Sequence, residues 1–570
     1  MRISLLSPAQ ISILPATVIQ GLATSDIASL SATQVAAINS NGIAVINATQ
    51  LATLSSSQVS ALTPVQIPEF SPGLVFNANQ LAVLSAMQFG ALSLTQLDKI
   101  DPTLIPSISE SAIGAISNSG LASLNATQIA ALDTTQIAGL TTAQLASLNS
   151  TSFAKFGDDQ LSDLKATQLG ALSATNLAKL DSTVINAFAA TQLQGLTTTQ
   201  MASLGNTTLA EFSATELGFL TGTQLGALTT TRFEAISAAT QLPGLTATQL
   251  GSLSATKLAS LTASQMGALD ATQIAGLTTA QLASLNSTTF AKFGNAQLSQ
   301  FSATQLGALS ATNLAKLDST VINSLTATQI QGLTTTQMAG IGNATLAEFT
   351  STVLGFLTNT QLGALTTTRF EALSAATQLP GLTQTQLGSL SAGKLAALTA
   401  SQVAALDTAQ IAGLTATQLD SLSSTNFAKF SNLQLSHLSA TQLGALSATN
   451  LAKLNSTVIN ALSATQLQGL TTTQMDKLGS ATLGEFSSTQ FGSLTSTQLG
   501  ALSTTVIHAL TATQIRELTT SQIPGLTSTQ IAQLSKTDIA SMSQAQADAF
   551  TTTQIQSMND PQALAYLAIG

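Results

Sequence analysis

The sequence predicts an all-α solenoid of very short helices, and three observations support this fold class. An apolar residue recurs at every eighth position along nearly the whole chain. A second apolar residue follows the first after five positions, and a residue type that caps helices stands directly after the first. The repeating unit reads L-[ST]-x-x-Q-[IL]-x-x, and we call it an octad.

The octad register extends from Leu6 to Met558 and is interrupted by three irregular steps. One step is six residues long and two are nine residues long; they are Phe70 to Phe76, Ile236 to Leu245, and Leu373 to Leu382. Essentially the whole chain is therefore one array of octads.

A longer period lies above the octad, because Ile-Ala-Gly-Leu-Thr begins at Ile137, Ile274 and Ile411, which are 137 residues apart. Duplication of a large block explains this period. We predict irregular, proline-containing octads forming a cap or bend over 1–110, linking octads over 111–136, blocks over 137–273 and 274–410, a third block with further octads over 411–558, and a tail over 559–570. For the tail, which contains Tyr566, we favour a frayed end over a docking or export segment.

Each octad carries two signals for the start of a helix. With Thr141 as N-cap, Gln144 occupies the third helical position, N3, and the pair predicts a capping box. Leu140 and Leu145 then form a hydrophobic staple across the cap. The same capping roles are predicted for Thr197 with Gln200 and for Thr221 with Gln224.

The two apolar positions of each octad are expected to form the core. The predicted core residues include Leu140, Leu145, Leu148, Phe153, Phe156, Phe290, Phe293, Phe427 and Phe430. The phenylalanine pairs also suggest an aromatic binding stripe, but they occupy the octad's own apolar positions. We therefore interpret them as core residues.

A continuous helix is excluded, because eight residues at about 100° each advance roughly 800° and turn the apolar stripe by about 80° per octad. The chain must bend at each cap, which leaves helices of about five to seven residues. Helices this short are unstable alone and must stack on neighbours, as in a solenoid. A β-solenoid is the alternative, since stretches such as Thr197–Thr199 suit β arrays, but the alternation of period two is missing.

The sequence offers little chemistry, and we predict no enzyme, no cofactor and no metal site. His437 and His508 lie far apart and are interpreted as variable exposed positions. An acidic group that could hold calcium, Asp158, Asp159 and Asp163, is not repeated in the later blocks, so we interpret it as a solvated face. Arg232 and Arg369 are interpreted as charged decoration of one face rather than as contacts with a partner.

The composition excludes several partners. Charged residues make up 7% of the chain and the net charge is -9, so there is no basic patch to bind nucleic acid. Polar residues interrupt every octad, so no apolar run is long enough to span a membrane. A polar surface with few charges repels copies of itself only weakly, which favours self-association.

The pattern L-[ST]-x-x-Q-[IL]-x-x-L resembles the Thr/Ser/Gln-rich tandem repeats of large bacterial surface, adhesin-like and filament-forming proteins. The resemblance covers nearly the whole chain and implies an extracellular or cell-surface protein that is exported without a cleaved signal. We expect a structural protein that self-assembles into a filament, sheath or surface layer through Ser/Thr/Gln faces. The alternative is an adhesin stalk or an ice- or glycan-binding solenoid. Expected partners are other copies of the chain and possible cell-surface components or glycans.

Overall fold

The computed structural model describes residues 3–569, and every regular element within them is helical. The described chain forms 64 α-helices of four to eight residues and six 3-10 helices, without a strand. The prediction of an all-α solenoid is confirmed, and the β-solenoid alternative is wrong.

Each α-helix begins one residue after the cap of its octad and lasts four to six residues in nearly every case, slightly less than predicted. The first 137-residue block shows the pattern that the other octads follow. The α-helices that lie in this block or overlap its ends are Thr134–Gly139, Thr142–Ser147, Ser150–Phe153, Asp158–Ser162, Ala166–Leu169, Ala174–Leu177, Ser182–Ala187, Ala190–Leu193, Thr198–Ser203, Asn206–Ala210, Ala214–Phe219, Gly222–Ala227, Thr230–Glu234, Ala247–Ser252, Ala255–Ser260, Ala263–Gly267 and Ala271–Gly276.

Two residues in extended conformation join a six-residue helix to the next helix, whereas shorter helices are followed first by a residue such as Ala37, with φ -92° and ψ -3°. After Thr142–Ser147, for example, Leu148 has φ -65° and ψ 126°, and Asn149 has φ -74° and ψ 168°. Between residues 3 and 569 no residue has a positive φ, so the bends there need no left-handed backbone. Any residue type that caps a helix is therefore compatible with the bend.

Most of the 3-10 helices lie at prolines. The six 3-10 helices are Ile3–Leu5, Ile67–Glu69, Pro102–Ser107, Leu242–Gly244, Leu379–Gly381 and Ile523–Gly525. All except the first contain proline, which has no N–H for a bond to the carbonyl four residues earlier. Two of them, at Pro243 and Pro380, lie within the nine-residue steps of the octad register, and the one at Pro68 directly precedes the six-residue step.

The chain divides into two compact units, Met1–Gln297 and Leu298–Gly570. Within each unit, helices pack against helices three octads away: Ala247–Ser252 contacts Ala271–Gly276 in the first unit, and Ala440–Gly444 contacts Ala464–Leu467 in the second. We call one turn of the solenoid, after which a helix lies against an earlier helix, a coil. The block boundaries at 137, 274 and 411 stay predictions from the sequence.

The apolar positions of the octads face inward. All nine predicted core residues are at most 7% exposed; they are Leu140, Leu145, Leu148, Phe153, Phe156, Phe290, Phe293, Phe427 and Phe430. The rings within each phenylalanine pair lie 6.2, 5.9 and 6.2 Å apart between centroids, in chain order. The aromatic pairs therefore belong to the interior rather than to an exposed stripe.

The C-terminal segment is ordered as a helix, so the frayed end predicted for 559–570 is wrong over its described residues. Asn559 caps the helix Asp560–Leu567, and Pro561 stands in its first turn, where its missing N–H costs nothing. The ring of Tyr566 packs edge-on against Phe550 at a centroid distance of 6.0 Å. This aromatic contact ties the helix to the preceding octads.

Candidate functional site

The predicted capping partners are hydrogen-bonded to each other in both directions. Thr141 Oγ1 accepts from the backbone N–H of Gln144 at 3.2 Å, and Gln144 Oε1 accepts from the backbone N–H of Thr141 at 2.7 Å. The corresponding two distances are 3.2 and 2.7 Å for Thr197 with Gln200, and 3.2 and 2.8 Å for Thr221 with Gln224. Each pair satisfies two N–H groups that a helix start leaves without a partner.

The same glutamines make a second contact, which the sequence analysis missed. Gln144 Nε2 donates to the carbonyl oxygens of Ile113 at 3.0 Å and Ile116 at 2.8 Å, 31 and 28 residues earlier in the chain. Those carbonyls belong to the end of the helix Glu110–Ala115 and the residue after it. One glutamine side chain thus caps the start of its own helix and the end of a helix in the preceding coil.

This bridge recurs through both units. Gln200 Nε2 donates to Leu169 and Leu172, both at 2.9 Å, and Gln224 Nε2 donates to Leu193 and Leu196, both at 2.8 Å. In the second unit, Gln474 reaches Leu443 at 2.8 Å and Leu446 at 2.7 Å. We call this series of contacts the glutamine bridges. Within each unit, they join a coil to the one before it by side-chain to backbone hydrogen bonds.

The bridges set the length of a coil. Helices pack three octads apart, while a bridging glutamine reaches carbonyls 28 and 31 residues earlier, so a coil comprises between three and four octads. The irregular steps change these separations without breaking the bridges. Across the six-residue step, Gln80 reaches back 29 and 26 residues, and across a nine-residue step Gln249 reaches back 32 and 29 residues.

Burial of the glutamines overturns one expectation from the sequence. Gln144, Gln200 and Gln224 are only 1%, 6% and 3% exposed, because both ends of each amide are used inside the solenoid. These glutamines are therefore not part of the exposed Ser/Thr/Gln face that the sequence suggested. The exposed positions directly before the first of them are Thr141, Thr142 and Ala143.

Lysine takes over the bridge where the N3 residue is too short. In the octad of Phe153 and Phe156, N3 is Ser152, which cannot reach the preceding coil. Lys155 Nζ instead donates to the carbonyls of Ala122 at 3.0 Å and Leu124 at 2.5 Å. Lys292 and Lys429 make the equivalent contacts in the other two Phe-Ala-Lys-Phe sequences.

Other cations stand at N3 itself. Arg232 Nη1 donates to Ala202 O at 2.7 Å, and Arg369 Nη1 donates to Ala339 O at 2.6 Å. The interpretation of these arginines as surface decoration was therefore wrong, since each joins two coils. Lys257 and Lys394, each 8% exposed, donate to Leu228 O and Gly363 O respectively, and desolvation by burial lowers the pKa of both side chains.

Asparagine at N3 makes an incomplete bridge, because its side chain is one methylene shorter than that of glutamine. Asn176 Nδ2 reaches Leu148 O at 2.8 Å, and Asn450 Nδ2 reaches Leu422 O at the same distance. The buried Oδ1 atoms of Asn176 and Asn450 have no hydrogen-bond partner, so neither residue closes the capping box that glutamine would. Glutamine is the residue whose length serves both helices.

Glycines allow adjacent coils to approach closely at particular points. A Cβ added to Gly195 would lie 2.2 Å from the carbonyl oxygen of Ala166, and one added to Gly170 would lie 2.5 Å from the carbonyl oxygen of Gly195. Real Cβ atoms do not tolerate such separations. The small residues that the sequence places between the apolar positions thus bring backbones of neighbouring coils into contact.

The residues considered for catalysis or metal binding are not brought together. His437 and His508 are exposed, and their Nδ1 atoms lie 2.8 Å from Leu433 O and 3.3 Å from Gln533 O. Asp158 and Asp159 lie in the first turn of Asp158–Ser162, whereas Asp163 accepts a hydrogen bond from the Thr134 hydroxyl at 2.8 Å. Between residues 3 and 569, no three His, Asp or Glu side chains are grouped as metal ligands would be.

The helices are also far from the length that a membrane requires. A transmembrane helix needs about 20 apolar residues. The described helices have at most eight residues, and none of them can cross a membrane.

Comparison with known proteins identifies the same kind of repeat near the C-terminus. A family model described as the ALTTAQ repeat matches residues 507–536. This stretch contains Ala-Leu-Thr-Ala-Thr-Gln over 509–514, in which the leucine is a core residue, the threonine after it the cap and the glutamine the N3 partner of the capping box. No curated protein matches the chain. The repeat match and the helical solenoid together show a tandem-repeat protein.

Proposed function

We propose that the chain is a non-enzymatic structural protein whose copies assemble into an extracellular filament, sheath or surface layer. The observation that carries this proposal is the division of roles within the octad. Glutamine, lysine and arginine side chains that could bind other molecules are used between coils, while hydroxyl and methyl groups recur on the outside, as at Thr141, Thr142 and Ala143. Such a surface suits repeated contact with identical copies.

The low charge of the surface supports self-association. Only 7% of the residues are charged, so copies that approach side by side meet few like charges. A repeated surface also multiplies weak contacts, because one matching pair of octads places its neighbours in register. We infer that other copies of the chain are its main partners and that the cell surface or its exterior is its location.

The second candidate is a binding role as an adhesin stalk or as an ice- or glycan-binding solenoid. It is favoured by exposed hydroxyl pairs at the helix starts. Ser302 Oγ and Thr304 Oγ1 lie 3.1 Å apart, and Thr527 Oγ1 and Thr529 Oγ1 lie 2.9 Å apart. Paired hydroxyls at regular intervals match the hydroxyls of a glycan or an ordered water layer.

Negative-stain electron microscopy of the full chain at several concentrations separates the two roles. We expect filaments or sheets that grow with concentration, whereas isolated particles at every concentration would contradict the structural proposal and favour the binding role. A variant with Thr417→Glu, Thr441→Glu and Thr473→Glu adds charge at exposed positions that lie outside the core and the bridges. It should keep its helical circular dichroism and lose assembly. A matched variant with alanine at the same three positions should still assemble.

A further inference from the structure

We propose that four cap asparagines of the first unit, Asn47, Asn125, Asn149 and Asn286, are attachment sites for asparagine-linked glycans. Each is followed after one residue by threonine, which is the acceptor pattern N-x-[ST] for this modification. The inference goes beyond the assembly role, because glycan attachment and assembly are measured separately.

The pattern alone does not select these sites, because a chain rich in serine and threonine contains it seven times. The seven asparagines are Asn47, Asn125, Asn149, Asn206, Asn286, Asn343 and Asn455. All seven are exposed. The geometry of the helix start distinguishes the four proposed sites from the other three.

At the four sites, the cap uses the oxygen of the carboxamide and leaves the nitrogen available. The Oδ1 atoms of Asn47, Asn125, Asn149 and Asn286 accept from the backbone N–H at N3 at 3.0, 2.9, 2.9 and 2.9 Å. Their Nδ2 atoms donate to no protein group within the described chain. A glycan on Nδ2 therefore leaves the cap intact.

At two sites, the threonine of the pattern also contacts the asparagine. Thr49 Oγ1 donates to Asn47 Oδ1 at 2.7 Å, and Thr127 Oγ1 donates to Asn125 Oδ1 at 2.6 Å. Both threonines are exposed. The folded octad thus presents the asparagine and the hydroxyl together on the outside of the solenoid, where a transferase can reach them.

The other asparagines lack this arrangement. Asn206 and Asn343 follow a glycine cap, and the threonines of their patterns, Thr208 and Thr345, are buried at N3. Asn455 Nδ2 donates to Asn432 Oδ1 at 3.3 Å.

Two cap asparagines without the pattern provide contrasts. Asn39 donates through Nδ2 to Ser12 O at 2.8 Å and to Leu14 O at 3.1 Å, as a bridge between coils. Asn77 has the same capping bond as Asn47, with Oδ1 accepting from Gln80 N at 3.0 Å, but its pattern ends in Asn79 instead of threonine.

The transfer uses an activated sugar phosphate as co-substrate. A bond forms between Asn Nδ2 and the anomeric carbon, the bond from that carbon to the phosphate oxygen breaks, and the phosphate leaves with the electron pair. The amide loses one proton to a base of the transferase. A single sugar at each site would indicate a nucleotide-linked donor, and a preassembled block of sugars would indicate a lipid-linked donor.

Glycopeptide mass mapping of the full chain recovered from its own cells tests the proposal. We expect sugars on Asn47, Asn125, Asn149 and Asn286, with Asn39, Asn77, Asn206 and Asn343 unmodified. Unmodified asparagine at all four sites, or equal modification of Asn77, would overturn the proposal.

Three variants expressed in the same cells sharpen the test. Thr49→Ala should abolish the sugar on Asn47, Thr49→Ser should retain it, and Asn79→Thr should create a new site at Asn77. All three changes lie at exposed positions, so thermal unfolding of the variants should match that of the parent chain. Sugar on Asn47 that survives Thr49→Ala would contradict the proposed recognition.

Discussion

The amide nitrogen of Gln144 lies 3.0 Å from the carbonyl oxygen of Ile113, although 31 residues separate the two along the chain. The oxygen of the same amide accepts from Thr141 N at 2.7 Å. A single side chain therefore links the start of one helix to the end of another in the preceding coil. Helices of four to six residues are unstable alone, so such links contribute to the order of every octad.

Removing the bridge should loosen two octads together. Gln144→Met keeps the length of the side chain but removes its hydrogen bonds, so the carbonyl of Ile116 loses its side-chain donor and that of Ile113 keeps only the backbone N–H of Ile116. We expect a local loss of about 1–3 kcal/mol in the free energy of opening. Hydrogen exchange followed by mass spectrometry should show faster exchange in peptides covering 109–116 and 141–148. Thr142→Ala, at an exposed position, is the control, and equal exchange in the two variants would contradict the role of the bridge.

A methyl group at a close approach between coils should destabilise the solenoid. Gly195→Ala places a Cβ 2.2 Å from Ala166 O, and we expect a loss of about 1–3 kcal/mol as the coils separate. Gly226→Ala is the matched control, because nothing lies within 4 Å of its Cβ and alanine favours its helix by about 0.5–1 kcal/mol. Thermal unfolding should shift in opposite directions, and a neutral Gly195→Ala would refute the close approach.

The lysine bridge should be replaceable by glutamine. Lys155→Met removes the donor to Ala122 and Leu124 and should cost about 1–3 kcal/mol in local stability. Adding Ser152→Gln to that variant restores glutamine at N3, from which the amide reaches Leu124 in the usual register. We expect hydrogen exchange over 117–124 to rise in the single variant and return to the parent rate in the double variant. Failure of the second change to rescue exchange would show that Lys155 acts otherwise.

Alkaline pH should make the two buried lysines, Lys257 and Lys394, less unfavourable to stability. Desolvation lowers the pKa of Lys257 and Lys394 below 10.5, the ordinary value. Between the lowered pKa and 10.5, the unfolded state binds more protons than the folded state. The contribution of the two lysines to stability therefore rises with pH up to 10.5 and is least favourable below the lowered pKa. The double variant Lys257→Gln and Lys394→Gln should lack this rise. Urea unfolding of both proteins at neutral pH and near 10 measures it, and parallel pH profiles would contradict the prediction.

Much of the fold followed from the octad pattern. The cap at Thr141, the helix after it and the inward position of Leu145 are all local consequences of one sequence motif. The bridge from Gln144 to Ile113 was not foreseeable in the same way, because its length depends on the number of octads in a coil. Thr134 and Asp163 meet for the same reason, at a separation of 29 residues.

Lys155 carried a signal that the sequence analysis did not use. It accompanies a serine at N3, while Lys292 and Lys429 accompany Thr289 and Asn426, which are also shorter than glutamine. The three lysines thus compensate for three missing glutamines. That a lysine can replace a glutamine three residues earlier is recognisable only once the contact to the preceding coil is known.

Glu216 offers the most direct test of the glutamine bridges. Glu216 occupies N3, is 4% exposed and accepts from Ser213 N at 3.2 Å. Where glutamine has its amide nitrogen, Glu216 has a second carboxyl oxygen, which cannot donate to the carbonyls of Ile185 and Phe188, 31 and 28 residues earlier. Glu216→Gln should therefore complete a bridge that the parent chain lacks, while Gln144→Glu should remove an existing one.

The decisive measurement is native-state hydrogen exchange of these two variants beside the parent chain. We predict slower exchange around 185–188 and 213–220 in Glu216→Gln, by about 1 kcal/mol in opening free energy, and faster exchange around 113–116 and 141–148 in Gln144→Glu. Opposite changes at the two sites would establish the amide as the link between coils. Changes of the same sign, or none at either site, would contradict it.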